Sequence, residues 1–311
     1  MAGIWIYSED TIIAQQIITL GRELAGKMQQ PVCALTMVEQ DAQTLIAAGA
    51  DKVIVLKGDN AWPESYAAAV AGQAAQQQPT VLFVGATLRG KDLAAKIAAT
   101  LKTGLITDAQ KVQFVDGALE TERMLYGGLA VCTEVLNGMN VITIPPRAYD
   151  VPPQDPSRSG EVVAVDVQTE STMAVGNVCP IVRKGADIAV AEKLVCIGRG
   201  LAKQEDMQLA QDLATAIGAE MCCTRSVAED YHWMPVEAYV GLSGQKVKPI
   251  IYLSMGVSGQ IQHVAGIRDS KLIVAIDTNE NAPIFAAADY GIVGDLYQVV
   301  PLLTEAIKNK A

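Results

Sequence analysis

Histidine is nearly absent from this chain of 311 residues: only His232 and His263 occur. The six cysteines are Cys33, Cys132, Cys179, Cys196, Cys222 and Cys223, and no two of them stand in CxxC spacing. Zinc sites and Ser-His-Asp hydrolysis both need more than this, and no serine elbow or carboxylate dyad of recognisable spacing appears either. Most thiols are expected to be buried and reduced. The adjacent Cys222-Cys223 reads either as a redox pair or as packing, and packing is favoured because vicinal disulfides strain the backbone. Basic charge is short as well, with 24 Lys and Arg against 34 Asp and Glu, a net charge of −10 and an isoelectric point near 4.8. That balance argues against a nucleic-acid partner, which needs a basic surface to release counterions. No apolar run nears the roughly 18 residues that span a bilayer. The first residues, Met1 to Tyr7, lack the basic flank and apolar stretch of a signal peptide and read as a strand, so a cytoplasmic protein is expected.

What is present is apolar surface: 50% of residues are hydrophobic and 19% charged. This suits one large core or two ordinary ones, and the length favours two domains. From Gly3 to about Gly90, strand-like and helix-like segments alternate: Gly3 to Tyr7, Thr11 to Gly26, Val32 to Met37, Ala42 to Ala48, Lys52 to Leu56, Glu64 to Gln77 and Thr80 to Gly85. This is the βαβ rhythm of a parallel sheet. Thr87 to Asp92 then invites a phosphate-loop reading, but it lacks the glycine spacing and the Lys-Ser/Thr ending, so a capped helix start is preferred. Between Thr107 and Val167 short β-rich stretches dominate and read as antiparallel additions: Ala109 to Val115, Ala118 to Leu125, Gly128 to Leu136, Val141 to Ile144 and Val162 to Val167. Residues 145–160 form a proline-rich excursion. A domain boundary is expected near Lys184 to Ile188, giving domains 1–187 and 188–311.

The second domain reads as a doubly wound, Rossmann-like α/β unit. Its strands are Lys193 to Ile197, Glu220 to Cys223, Ile250 to Met255 and Leu272 to Ile276, with helices at Glu205 to Ile217 and Tyr297 to Lys308. Gly218 is expected to close the first helix in a left-handed cap. The third strand runs into Gly256-Val257-Ser258-Gly259-Gln260-Ile261-Gln262-His263. Strand, glycine turn and helix start form a setting that holds anionic, nucleotide-like cofactors, because glycine admits ligand atoms to the backbone and the first helical turn leaves amides free.

In a doubly wound sheet the strand ends converge at the carboxyl edge, where ligands bind. Arg199, Arg225, Ser243, Ser258, His263 and Asp295 come from separate segments that reach this edge. Arg199, between two glycines, suits a pyrophosphate, with a surface turn as the alternative. Arg225, beside Thr224, either faces the cofactor's aromatic system or pairs with Glu229 or Asp230. His263 is either a donor to a cofactor carbonyl or a satisfied structural histidine.

The run Ser258 to His263, followed by Ala265 to Ser270, Ala282 to Phe285 and Ala288 to Leu296, resembles the FAD-binding signature of the electron transfer flavoprotein alpha subunit. Met124 to Ala130 and Pro156 to Glu161 resemble its bacterial branch, usually called FixB-like. The resemblance implies the following roles. Arg199 contacts FAD phosphates and Arg225 packs against the isoalloxazine. Thr224 stands where the family has a serine touching the cofactor. Ser243, in the segment Val240-Gly241-Leu242-Ser243, stands where many members place a threonine on flavin N5. Ser258, Gly259, Gln260, Ile261, Gln262 and His263 surround the flavin and ribityl chain, with His263 near the flavin O2. Asp295 and Leu296 lie at the adenosine end. Asp277 replaces the family's usual asparagine; a carboxylate there is unfavourable near pyrophosphate but accepts a hydrogen bond near a ribose hydroxyl.

The resemblance also implies a heterodimer with an electron transfer flavoprotein beta subunit, on which the first domain packs, and an FAD domain that is mobile relative to the rest. The implied work is electron transfer from an acyl-CoA dehydrogenase-type donor, or from NADH in a bifurcating complex, to an acceptor such as a quinone-reducing redox protein. Fatty acid or acyl-CoA metabolism is the implied setting. Two rival readings remain: a nucleotide-binding regulatory module without redox activity, and a flavoenzyme with its own small substrate.

Overall fold

Short, nearly continuous apolar runs, interleaved with amphipathic helices, give this chain two separate parallel sheets. The computed structural model describes residues 3–169, 176, 177, 179 and 187–309. Two compact units appear, Met1–Cys179 and Pro180–Ala311. The join expected near Lys184 to Ile188 lies mostly outside the described residues.

The first unit runs β1 (Ile4–Tyr7), α1 (Thr11–Met28), β2 (Val32–Thr36), α2 (Ala42–Ala47), β3 (Lys52–Lys57), α3 (Ala67–Gln77), β4 (Val81–Gly85), α4 (Leu88–Leu101), β5 (Gly104–Ile106), β6 (Lys111–Val115), β7 (Ala118–Leu125), β8 (Ala130–Val135), β9 (Asn140–Ile144) and β10 (Glu161–Asp166). Seven strands form one parallel sheet in the order β10-β3-β2-β1-β4-β9-β5. The period of two decides the layers. Ile4 and Ile6 face a core shared with α1 and α2, whereas Trp5 and Tyr7 face one shared with α3 and α4. Thr87 caps α4, its hydroxyl accepting from Gly90 N at 2.8 Å, so Thr87 to Asp92 is a capped helix start.

Of the β-rich stretches read as antiparallel, only β6, β7 and β8 are, and they form their own sheet. The other two are corrected: β9 pairs parallel with β4 and β5, and β10 pairs parallel with β3. Every residue of β9 is buried, as in a strand covered on both faces. Strand β10 reaches the far edge because the proline-rich excursion carries the chain across. Asp155 N bonds Ala47 O at 2.9 Å, and Arg158 meets Asp51 at 2.5 Å.

The second unit comprises β11 (Lys193–Ile197), α5 (Met207–Ile217), β12 (Glu220–Cys223), β13 (Ile251–Met255), α6 (Ile261–Ile267), β14 (Ile273–Asp277), α7 (Ile284–Ala287), β15 (Tyr290–Val293) and α8 (Leu296–Lys308). All five strands are parallel, in the order β12-β11-β13-β14-β15. Val195 and Ile197 pack toward α5 and α8, while Leu194 and Cys196 share the opposite core with Tyr252 and Ile267. Gly218 ends α5 at φ 64°, the left-handed cap expected of it. Among the described residues no helix is long and apolar enough to cross a membrane.

Candidate functional site

The strand order of the second unit reverses between β11 and β13, and ligands of such sheets bind outside the carboxyl ends at that point. A cleft of about 510 Å³ opens there. Its walls come from the turns after β11, β12, β13 and β14 and from the loop at residues 239–243. The volume is within the range of small-molecule and cofactor sites.

Glycines build the floor. An added Cβ on Gly200 would stand 2.5 Å from Gly256 Cα, and one on Gly198 would stand 2.2 Å from Gly256 O. Gly256 itself is left-handed, at φ 61°. These glycines therefore let the turns after β11 and β13 touch backbone to backbone, with Gly200 N donating to Gly256 O at 3.0 Å. They join the two loops, and Gly200 and Gly256 also line the cleft.

Arg199 is exposed on the cleft wall. Arg225 is separated from the end of β12 by Thr224 and precedes a single π turn, Ser226–Asp230, that sets Glu229 one turn away. The Arg225 Nε atom meets Glu229 Oε2 at 2.5 Å. That hydrogen bond and the carboxylate charge hold the guanidinium pKa above its usual value, so it stays cationic. The ion pair with Glu229 is the second of the two readings of Arg225, and the residue also lines the cleft. Beside it, Thr224 Oγ1 is buried at the wall with no hydrogen-bond partner among the described residues. An orphaned hydroxyl is costly unless something bound at the site satisfies it.

His263 lies in the first turn of α6 and is buried, at 7% exposure. Its Nδ1 is 3.1 Å from Val240 O and its Nε2 is 2.9 Å from the Tyr252 hydroxyl. A carbonyl only accepts, so Nδ1 carries the hydrogen and Nε2 accepts from Tyr252. Both nitrogens are thereby used inside the protein, which is the structural reading weighed above. Burial raises the Tyr252 phenol well above its usual range and keeps it a donor. Ser243 Oγ accepts from the Tyr239 hydroxyl at 2.6 Å. Asp277 closes its own turn, its Oδ1 accepting from Asn279 N at 2.9 Å while the residue lines the cleft.

Of the other positions expected at the site, Val240, Gly241, Leu242, Ser258, Gly259, Gln260 and Gln262 line the cleft. Ile261, Asp295 and Leu296 do not. Ile261 opens α6 and is exposed, Asp295 caps α8 by accepting from Tyr297 N at 2.9 Å, and Leu296 is buried in the core. Tyr239 and Ser226 line the cleft although nothing pointed to them. Tyr239 sits four residues before Ser243, a spacing that carries no signal outside a helix.

A parallel α/β sheet with a glycine-floored cleft at its switch point, two arginines and an orphaned hydroxyl defines a nucleotide-cofactor domain, and the residues fit such a group. Comparison with known proteins makes this specific. The electron transfer flavoprotein FAD-binding domain matches residues 187–268, and the electron transfer flavoprotein domain matches residues 10–170. Protein FixB of Salmonella typhimurium is 37% identical over 312 residues, covering 98% of both chains. The putative electron transfer flavoprotein subunit YdiR of Escherichia coli K12 is 36% identical over 319 residues, covering 99% of this chain and 98% of its own. This chain belongs to the electron transfer flavoprotein family, as an alpha-subunit-like, FixB-like member, and it binds FAD.

Proposed function

We propose that this chain is the alpha subunit of a cytoplasmic heterodimeric electron transfer flavoprotein. Residues 188–311 hold FAD and residues 1–187 pack on the beta subunit. The complex carries electrons from a dehydrogenase of the acyl-CoA type, or from NADH if it bifurcates, to an acceptor such as a quinone-reducing redox protein. FAD, when bound, supplies the electron-accepting chemistry.

The observation that carries this reading is the composition of the cleft. Its polar groups are suited to binding and tuning: Arg199 and Arg225 as fixed cations, Thr224 and Ser243 as hydroxyls, and Asp277 as an acceptor. The one imidazole at its wall has both nitrogens engaged within the protein. That weighs against a flavoenzyme with its own acid-base chemistry on a substrate. An Arg225 guanidinium kept charged by Glu229 favours a reduced, more negative ring system over an oxidised one.

The test is an anaerobic NADH titration of this chain purified together with its beta subunit, with released flavin counted per heterodimer. One FAD that ignores NADH but accepts electrons from a dehydrogenase supports a simple carrier. Two FADs reduced by NADH support a bifurcating complex. A complex without flavin rejects the proposal.

A further inference from the structure

Tyr239 lines the cleft and is itself buried, at 5% exposure, in the core that α5 and α8 share with the sheet. Its hydroxyl is 2.6 Å from Ser243 Oγ. A phenol is a stronger acid than an aliphatic alcohol, so Tyr239 donates and Ser243 accepts. A serine hydroxyl carries one hydrogen. With Tyr239's hydrogen on the oxygen, Ser243's own hydrogen is turned away from Tyr239, and Ser243 is an exposed residue of the cleft wall.

The loop is shaped to permit this contact. A Cβ on Gly244 would fall 2.3 Å from Tyr239 Cε2 and 2.5 Å from Tyr239 O, so only glycine lets the ring pass beneath Ser243. The loop's course does not depend on the phenol hydroxyl. Val240 N bonds Cys223 O at 2.9 Å, Gln245 N bonds Tyr239 O at 2.9 Å, and Leu242 N bonds Gln262 O at 2.7 Å. These backbone bonds fix residues 239–245 to β12 and α6 whether or not the hydroxyl is present.

We infer that Tyr239 is a positioning residue: it orients the Ser243 hydroxyl as a donor to the electron-accepting ring of the cofactor and thereby raises that cofactor's potential. This rests on the reading above that Ser243 faces the flavin. Hydrogen bonds in series polarise one another, so a serine that already accepts from a phenol is a stronger donor. A donor fixed in advance at a place where negative charge develops stabilises the charged form without reorganising. Neither hydroxyl loses its proton; the electrons come from the redox partner.

The experiment compares Tyr239→Phe, Ser243→Ala, Ser243→Thr and the double variant Tyr239→Phe/Ser243→Ala in the complex with the beta subunit. Flavin content is counted first, and the midpoint potential is then read by spectroelectrochemical titration. All variants are expected to retain FAD. Tyr239→Phe and Ser243→Ala each move the potential to more negative values, and in the Ser243→Ala background Tyr239→Phe moves it no further. Ser243→Thr keeps the hydroxyl and is expected to keep a potential nearer the wild type than that of Ser243→Ala. Three results overturn the inference: an unmoved potential in Tyr239→Phe beside a moved one in Ser243→Ala, an equal shift with and without the Ser243 hydroxyl, or loss of FAD in Tyr239→Phe. An unmoved potential in Ser243→Ala with FAD bound removes the Ser243 role and the inference with it. A wild-type complex without FAD rejects the electron-carrier reading itself.

Discussion

Tyr252 on β13 donates to Nε2 of His263 on α6 at 2.9 Å, in the core between sheet and helix. The far side of the same imidazole holds Val240 O at 3.1 Å. The sheet interior is thus connected through this histidine to the loop that carries Ser243. The histidine acts as a strut between the sheet and that loop.

Breaking the strut should therefore cost stability. His263→Ala leaves Val240 O and the Tyr252 hydroxyl buried without this partner, at an expected cost of about 2–4 kcal/mol to the second unit. Tyr252→Phe removes the hydroxyl partner of Nε2 but leaves the bond to Val240 O, and is expected to cost about 1 kcal/mol, less than His263→Ala. Urea unfolding of both variants, followed by flavin fluorescence, reads the difference; equal and negligible losses would remove the strut.

The joined glycine turns make a sharper prediction. Gly256→Ala places a Cβ 2.6 Å from Gly200 Cα at a left-handed backbone position, and the two nearest atoms are both Gly200 backbone, which cannot swing aside. The expected cost is roughly 2–3 kcal/mol from crowding and conformational strain together, with weakened FAD retention. Thermal melting and flavin counts on the purified complex check it.

Arg225 and Glu229 should act on the cofactor with opposite signs. Arg225→Ala is expected to move the flavin potential to more negative values and Glu229→Gln to more positive ones, because the first removes a cation and the second removes the charge that offsets it. The guanidinium pKa is raised above an already high value, so the Arg225→Ala shift should be the same from mildly acid to mildly alkaline pH. Potentiometric titration at several pH values reads both effects.

Thiol chemistry should separate the cysteines. Cys33, Cys196, Cys222 and Cys223 are buried, Cys132 is half-buried and Cys179 exposed, all of them free. Burial pushes the Cys33 thiol from its ordinary value near 9 up to about 12. Alkylation of the native protein near neutral pH, read by mass spectrometry, should therefore label Cys179 and Cys132 and spare the rest. The sign for stability follows. Below pH 9 Cys33 is protonated in both states and its contribution is constant. Between about 9 and 12 the unfolded chain releases its proton first, so stability falls with rising pH.

Much of this was readable in the sequence, because the periodicities that define parallel strands are local. The apolar run Ile4 to Tyr7 and a glycine at 218 are local signals, and both elements stand where they were expected. The directions of β9 and β10 were not readable, since direction depends on where the connection crosses, and residues 145–160 carry no periodic signal. The short strands β5 and β15 also escaped: three residues are too few for a period, and Tyr290–Val293 lies within a stretch chosen for its resemblance rather than its pattern. At the site, positions contiguous with a glycine turn were legible, including Arg199 and Ser258. Tyr239 was not, because its role appears only once the loop folds its ring under Gly244. Asp295 caps α8 and Leu296 is buried in the core, and neither lines the cleft.

The central claim is that FAD occupies the cleft between the turns after β11 and β13. Its most direct test is to purify this chain with its beta subunit, wild type and Gly256→Val side by side, and to count the FAD that each releases on denaturation. The account predicts FAD in the wild-type complex and its loss from the variant, with the first unit and the heterodimer intact. Wild-type complex without FAD, or a variant that retains all of it, would contradict the account.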